Sequence, residues 1–236
     1  MWRALEWKKW RLVLKLDPDK ELPEAAFKIL QEPNVDAVFV GGTQGITYEN
    51  TVRLISLVRQ SGYNGPLIQE ISTEDSVVPD VNAHFIPVVL NSDNRYWIID
   101  AHLSAIKKYR KMIPWERTVT EGYLVCNRDS AVGRHTNARI VSIEDAVAYT
   151  ILAEEVFKIP LLYIEYSGNF GDMDLVRAVS AARNSIHLVY GGGIKTADQL
   201  NTAASLVNTV VIGNIIYDNP VQAAMLVRNS TLTPNF

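Results

Sequence analysis

The segment "YIEYSGNFGD", residues 163–172, closes an apolar run with a carboxylate, two tyrosines, a serine and two glycines. A buried strand gains nothing from a carboxylate, because an unpaired charge is costly away from water. A strand end that holds a polar substrate does gain: Glu165 can accept a proton from an alcohol. Lys15 ends another apolar run and supplies the cation that a phosphate needs. The competing structural reading is a Lys15–Glu165 ion pair across the site.

The same loading recurs elsewhere. "HLVYGGG" ends in Gly191, Gly192 and Gly193 before the helical pattern "TADQL", and "TVVIGN" ends in Gly213 and Asn214. Glycine lets main-chain N–H groups approach an anion, and a helix N-terminus adds partial positive charge. The two loops together read as a phosphate cradle; the alternative is glycines that only make tight turns. Asp17 ends the first apolar run and Thr43 follows the second. A carboxylate and a hydroxyl suit Mg²⁺, which takes few protein oxygens and fills its shell with water and phosphate. By itself, "LDPDK" reads equally as a turn with Asp17 capping a helix.

Positioning these groups requires eight short apolar runs, at residues 11–17, 37–42, 66–72, 84–91, 118–127, 160–168, 187–193 and 209–214. They are continuous rather than alternating, as strands buried on both faces are. Helical patterns at 21–32, 48–60, 94–110, 142–157, 173–183 and 196–206 separate most of them, the last opening with a Thr196–Gln199 capping box. Residues 73–83, "TEDSVVPDVNA", are too short and too proline-interrupted for a full helix. The pattern predicts an α/β fold, a (β/α)8 TIM barrel lacking a regular third outer helix. An open doubly wound sheet would want GxGxxG after its first strand, and "LKLDPDK" offers nothing of the kind. In a barrel, chemistry sits at the C-terminal strand ends, where the loaded residues fall. No linker divides the chain, so residues 1–236 read as one domain, with 221–236 as a C-terminal helix and tail.

A formal net charge of -3 argues against a nucleic-acid partner, which calls for a basic patch. One cysteine, Cys126, excludes an internal disulfide, and four scattered histidines give no zinc spacing. No apolar run approaches the roughly 20 residues of a membrane helix, and the opening residues lack a signal-peptide pattern. A cytoplasmic location is the expectation. Trp2, Trp7 and Trp10 read as a cap on one end of the core in preference to a membrane anchor.

Eight motifs run in order from about residue 6 to residue 220: "KLDPDK", "VGGTQGIT", "FIPVVLNS", "TEGYLVCN", "AYTILAE", "YIEYSGNFGD", "YGGGIKTADQ" and "VVIGNIIYDN". In this the chain resembles the prenylglyceryl phosphate synthases, archaeal geranylgeranylglyceryl and bacterial heptaprenylglyceryl. The opening "EWKKWRLVLKLDPDK" is closer to the bacterial branch. The resemblance implies a homodimeric prenyltransferase of lipid biosynthesis. It would join a prenyl diphosphate to the C3 hydroxyl of sn-glycerol 1-phosphate as an ether and release diphosphate. It further implies Lys15, Tyr163, Ile164, Glu165, Tyr166, Ser167, Gly168, Gly193, Gly213 and Asn214 around the glycerol phosphate, and Asp17 and Thr43 on Mg²⁺. Ala105 and Tyr123 would lie along the prenyl groove, the small Ala105 on its floor leaving room for a C35 tail over a C20 one. There is no integral membrane segment to expect, only peripheral contact for product release. Asp80, Asn82, His84 and Val88 depart from the family pattern, and the stretch holding Arg134 and His135 is more basic; these histidines and the arginine receive no role.

Glu165 is then the catalytic base. A carboxylate with a pKa of about 4.3 is a weak base towards a resting alcohol. It suffices if the ether bond forms onto an allylic cation, because the hydroxyl then becomes strongly acidic. Tyr123 and Tyr163 could stabilise that cation or only pack. The rival functions are a C20 synthase, a phosphosugar isomerase or indole-glycerol phosphate synthase on the same barrel, and a non-catalytic lipid-phosphate binder.

Overall fold

A computed structural model of the chain describes residues 6–232. Its strands are β1 (Leu12–Leu16), β2 (Ala37–Val40), β3 (Leu67–Glu70), β4 (Ala83–Val89), β5 (Thr118–Val125), β6 (Leu161–Glu165), β7 (His187–Gly191) and β8 (Thr209–Ile212). They fall on the eight apolar runs and close in sequence order into a parallel barrel, β8 pairing back onto β1 from Leu12↔Val210 to Leu14↔Ile212. The runs are continuous because each strand has two buried faces. Val13, Phe39, Ile68, Tyr163 and Val211 fill the barrel interior. Their neighbours Leu14, Val38, Leu67, Ile164 and Val210 lie in the second core, beneath the helices.

The helices are α1 (Ala26–Leu30), α2 (Tyr48–Gln60), α3 (Asp100–Tyr109), α4 (Ala131–His135), α5 (Ile143–Ile151), α6 (Met173–Ala182), α7 (Ala197–Leu206), α8 (Ile215–Asp218) and α9 (Pro220–Arg228). The expected Thr196–Gln199 capping box opens α7. Three helical patterns come out shorter or altered. Residues 21–32 yield only the five-residue α1, after Pro23. Residues 94–110 split into a 3-10 turn, Arg95–Trp97, and α3. Residues 142–157 widen into a π turn at Leu152–Val156, from which Glu154 accepts the N–H groups of Asn184 (2.9 Å) and Ile186 (3.0 Å).

As expected, no regular helix joins β3 to β4; a single turn, Glu74–Ser76, stands there. Gln69, pointing outward from β3, takes over part of the missing helix's work. Its amide donates to Ser76 O (2.7 Å) and accepts from Val78 N (2.8 Å), tying the segment flat against the barrel.

Trp10 is buried against Phe39, and Trp7 meets Phe85 and His187 edge-on at 6.2 and 5.1 Å. These tryptophans close the N-terminal end of the barrel, the cap read from the sequence; Trp2 lies outside the described residues. Of the expected C-terminal helix and tail, α9 forms the helix, and residues 233–236 lie outside the described range.

Candidate active site

One cavity of about 820 Å³ opens at the C-terminal end of the barrel. Lys15, Asp17, Thr43, Ala105, Tyr123, Tyr163, Glu165, Ser167, Gly168, Gly193, Gly213 and Asn214 all line it. Two further sequence candidates do not. Ile164 is an outward residue of β6, buried under the helices, and the Tyr166 ring lies beside Tyr190, 6.2 Å between centroids. Only their main chain is available to a ligand, and the Tyr166 N–H already donates to Gly191 O (2.7 Å).

The polar centre is a hydrogen-bonded chain across the barrel. Lys15 Nζ donates to Glu70 Oε2 at 2.6 Å and to Tyr123 OH at 2.9 Å. Tyr123 OH donates to Glu165 Oε2 at 2.8 Å, and Ser167 N–H donates to Glu165 Oε1 at 2.6 Å. The competing Lys15–Glu165 ion pair does not form: Lys15 pairs with Glu70, and a tyrosine stands between lysine and Glu165. The reason is steric. β2 separates β1 from β3, but its inward residue at this level is Gly41, where a Cβ would come within 2.9 Å of Glu70 Cβ. With no side chain there, Lys15 and Glu70 meet over the gap.

Tyr123 and Tyr163 stack at 4.7 Å, and Lys15 Nζ stands 5.5 and 5.2 Å from their ring centroids. The rings already face a resident cation. Burial alone would lower the Lys15 pKa, yet Glu70, Glu165 and Glu121 together hold it above its usual value. Burial pushes the Glu165 pKa up, against the opposing pull of Lys15, Ser167 N–H and Tyr123. A carboxyl that holds its proton more firmly is a stronger base once ionised.

Glu70 is the site residue that sequence reasoning missed, and Glu121, equally unremarked, lies buried beneath the cavity. Glu70 carried the same signal as Glu165, a carboxylate ending the buried run "PLIQE". Glu121 sits in mid-strand with no exposure and no partner for either oxygen, and burial beside Glu70 raises its pKa well above the usual range.

The glycine loops divide into two kinds. Gly193 has φ +44°, and a Cβ there would come within 2.3 Å of the Asn169 main chain, so packing alone requires glycine. At Gly213 the nearest protein atom to a Cβ is 3.7 Å away, so a methyl group has room against the protein and would intrude only on the cavity. The main-chain N–H groups of Gly192, Gly193, Gly213 and Asn214 have no main-chain acceptor among the described residues. The first turn of α7 is closed by its own capping box, so the open donors are those of the loops themselves. Lys20 reaches Asn214 Oδ1 at 3.3 Å and adds positive charge nearby.

Beyond this centre the cavity continues as a groove between β4 and α3. Ile86, Val88, Ala105, Ile106, Met112 and Trp115 make it largely apolar. His84 lines it while its Nε2 contacts Val78 O at 2.9 Å, and His135 lines it with its ring against Trp97, 4.9 Å between centroids. Arg134 instead donates to the Asp129 carbonyl.

Residues 5–230 match the PcrB family. The heptaprenylglyceryl phosphate synthase of Brevibacillus brevis is 39% identical over 216 residues, 91% of this chain and 93% of the relative. That of Anoxybacillus flavithermus is 40% identical over 211 residues, 89% of this chain and 90% of the relative. Among solved structures, the (S)-3-O-geranylgeranylglyceryl phosphate synthase of Thermoplasma acidophilum, in complex with substrate sn-glycerol-1-phosphate, superposes with a TM-score of 0.82 at 23% identity. It covers 97% of this chain and 96% of its own, and at that identity it speaks for the barrel fold. Family match and relatives span nearly the whole length, and the chain belongs to the PcrB family.

Proposed function

We propose that the chain is a prenyltransferase joining heptaprenyl diphosphate (C35) to the C3 hydroxyl of sn-glycerol 1-phosphate, with release of diphosphate. The observation that carries this reading is the continuity of one cavity from the Lys15–Glu165 centre and the glycine loops to the apolar groove past Ala105. A phosphorylated alcohol and a long hydrocarbon need both environments in one space. The bacterial relatives described above, named for this product, support the same reading.

The residues divide the reaction between them. Lys15 and the open N–H groups around Gly213 hold the phosphate, fixing the C3 hydroxyl against C1 of the allylic diphosphate. Glu165 is held by Tyr123 and Ser167, each oxygen keeping a lone pair for the hydroxyl. As the C3 oxygen bonds to C1, the C1–oxygen bond to diphosphate breaks and the hydroxyl proton passes to Glu165. Tyr123 and Tyr163 remain protonated, their pKa values pushed well up by burial.

Asp17 and Thr43 fit Mg²⁺. The Asp17 carboxylate lies close over Gly42, where a Cβ would come within 2.5 Å of Oδ1, and Thr43 follows at the next strand top. A donor set this small matches a cation that keeps water and phosphate ligands. When bound, Mg²⁺ supplies charge neutralisation for the departing diphosphate. The chain acts as a cytoplasmic homodimer, as the family resemblance implies.

The test is a mass-spectrometric product assay with sn-glycerol 1-phosphate and Mg²⁺, offering C20 and C35 prenyl diphosphates in competition. The expected product is the C35 ether phosphate, lost on chelation and restored by Mg²⁺. A C20 product keeps the chemistry and overturns the tail assignment. No ether with either tail overturns the reading. Glu165→Gln is expected to lower kcat by about 10²–10⁴-fold; near-normal turnover removes Glu165 as the base.

A further inference from the structure

Helix α3 buries none of its residues. One side of it, with His102, Ala105 and Tyr109, walls the groove. Ile99, Leu103 and Ile106, 48, 45 and 40% exposed and spaced i, i+4, i+7, form one stripe along its outer side, with Ile106 at the boundary and also lining the groove. Beyond the helix the apolar surface continues into Met112 and Trp115, 78 and 52% exposed, which also line the outer end of the groove.

Charge on this face is opposite to that of the chain. Residues 100–115 contain Lys107, Lys108, Arg110 and Lys111 against one acidic residue, Asp100, which Arg95 meets at 3.3 Å, within a chain of formal net charge -3. Lys108 is taken by Asp75 at 2.9 Å, whereas Lys107, Arg110 and Lys111 are exposed. An apolar stripe with a tryptophan, edged by cations on long stems, is the composition of a helix that lies in a bilayer interface. Among the described residues no helix is long and apolar enough to cross a membrane.

We propose that α3 and residues 110–115 dock on an anionic lipid bilayer, so that the open end of the groove meets the acyl layer. Charge complementarity selects this occupant. A second copy of the chain, meeting this face by a two-fold axis, would set the remaining cations, Lys107, Arg110 and Lys111, against themselves. The proposal deepens the prenyl-transfer reading, on which the need for a lipid source rests, while the docking itself is read from α3.

The experiment is co-sedimentation of the full chain with phosphatidylcholine vesicles, with and without phosphatidylglycerol, at low and high salt. Turnover of a short, water-soluble prenyl diphosphate is followed in parallel. Leu103→Glu and the double variant Lys107→Glu, Lys111→Glu change residues outside the cavity. Each is expected to lower binding to anionic vesicles about tenfold or more, with turnover unchanged. Wild-type binding weakens with salt and is slight on neutral vesicles. No wild-type binding, or equal binding by the variants, overturns the proposal. So does self-association that Leu103→Glu abolishes, which would give the face to a second copy. Variant-sensitive binding with no turnover of any prenyl diphosphate supports docking and overturns the synthase reading alone.

Discussion

At Glu121 a carboxyl group sits beneath the site with no exposure and neither oxygen hydrogen-bonded. Burial raises its pKa, so the folded chain keeps a proton that the unfolded chain loses near pH 4.3. Stability linked to this group is fully present below that pH and declines as pH rises towards the folded value. Glu121→Gln removes the dependence. Its Tm is expected to exceed the wild-type value at pH 8, by about 2–4 °C for each kcal/mol relieved, and the gap closes towards pH 4. A gap that does not vary with pH counts against a protonated Glu121. The two glycines offer a second test at this scale. Gly193→Ala meets the Asn169 main chain at a left-handed φ and lowers Tm, whereas Gly213→Ala leaves Tm unchanged and raises KM for glycerol phosphate. Equal effects on both properties would mean that Gly213 is not part of the cradle. Glu165 was legible in the sequence because a carboxylate at the end of an apolar run has no packing reason. Glu70 was missed since nothing local tells which of several polar strand ends will meet. That depends on barrel closure and on the absent side chain at Gly41.

Among the elements, all eight strands and the missing helix after β3 could be read directly. Buried runs and Pro79 leave few options for the backbone. The split of residues 94–110 could not, because α3 buries nothing and so has no core stripe to set its limits. α3 nonetheless carries the groove's Ala105. Ala105→Trp is expected to shift the product of a mixed assay from C35 towards C20 by filling the floor with an indole. An unchanged product distribution moves the length stop elsewhere, His102 and Ile106 being the flanking groove residues on the same helix.

Across the whole molecule, the barrel has one sealed end and one working end. Trp10→Ala, far from the cavity, is expected to lose about 3–5 kcal/mol of stability. Its kcat/KM at a permissive temperature should stay near wild type; a matching loss of activity would show that the seal and the site are coupled. The working end is open along its flank as well as at its top, because the segment after β3 is flat and α3 is held without burial. A tail can therefore be laid in broadside, as a cable into a trench, instead of being threaded tip-first down a bore. Broadside capture makes the association rate nearly independent of isoprene count, so discrimination by length falls on dissociation. Stopped-flow binding of a C10 to C35 series reads this directly: flat on-rates with steeply falling off-rates mark a trench, and on-rates that fall with every added unit mark a bore.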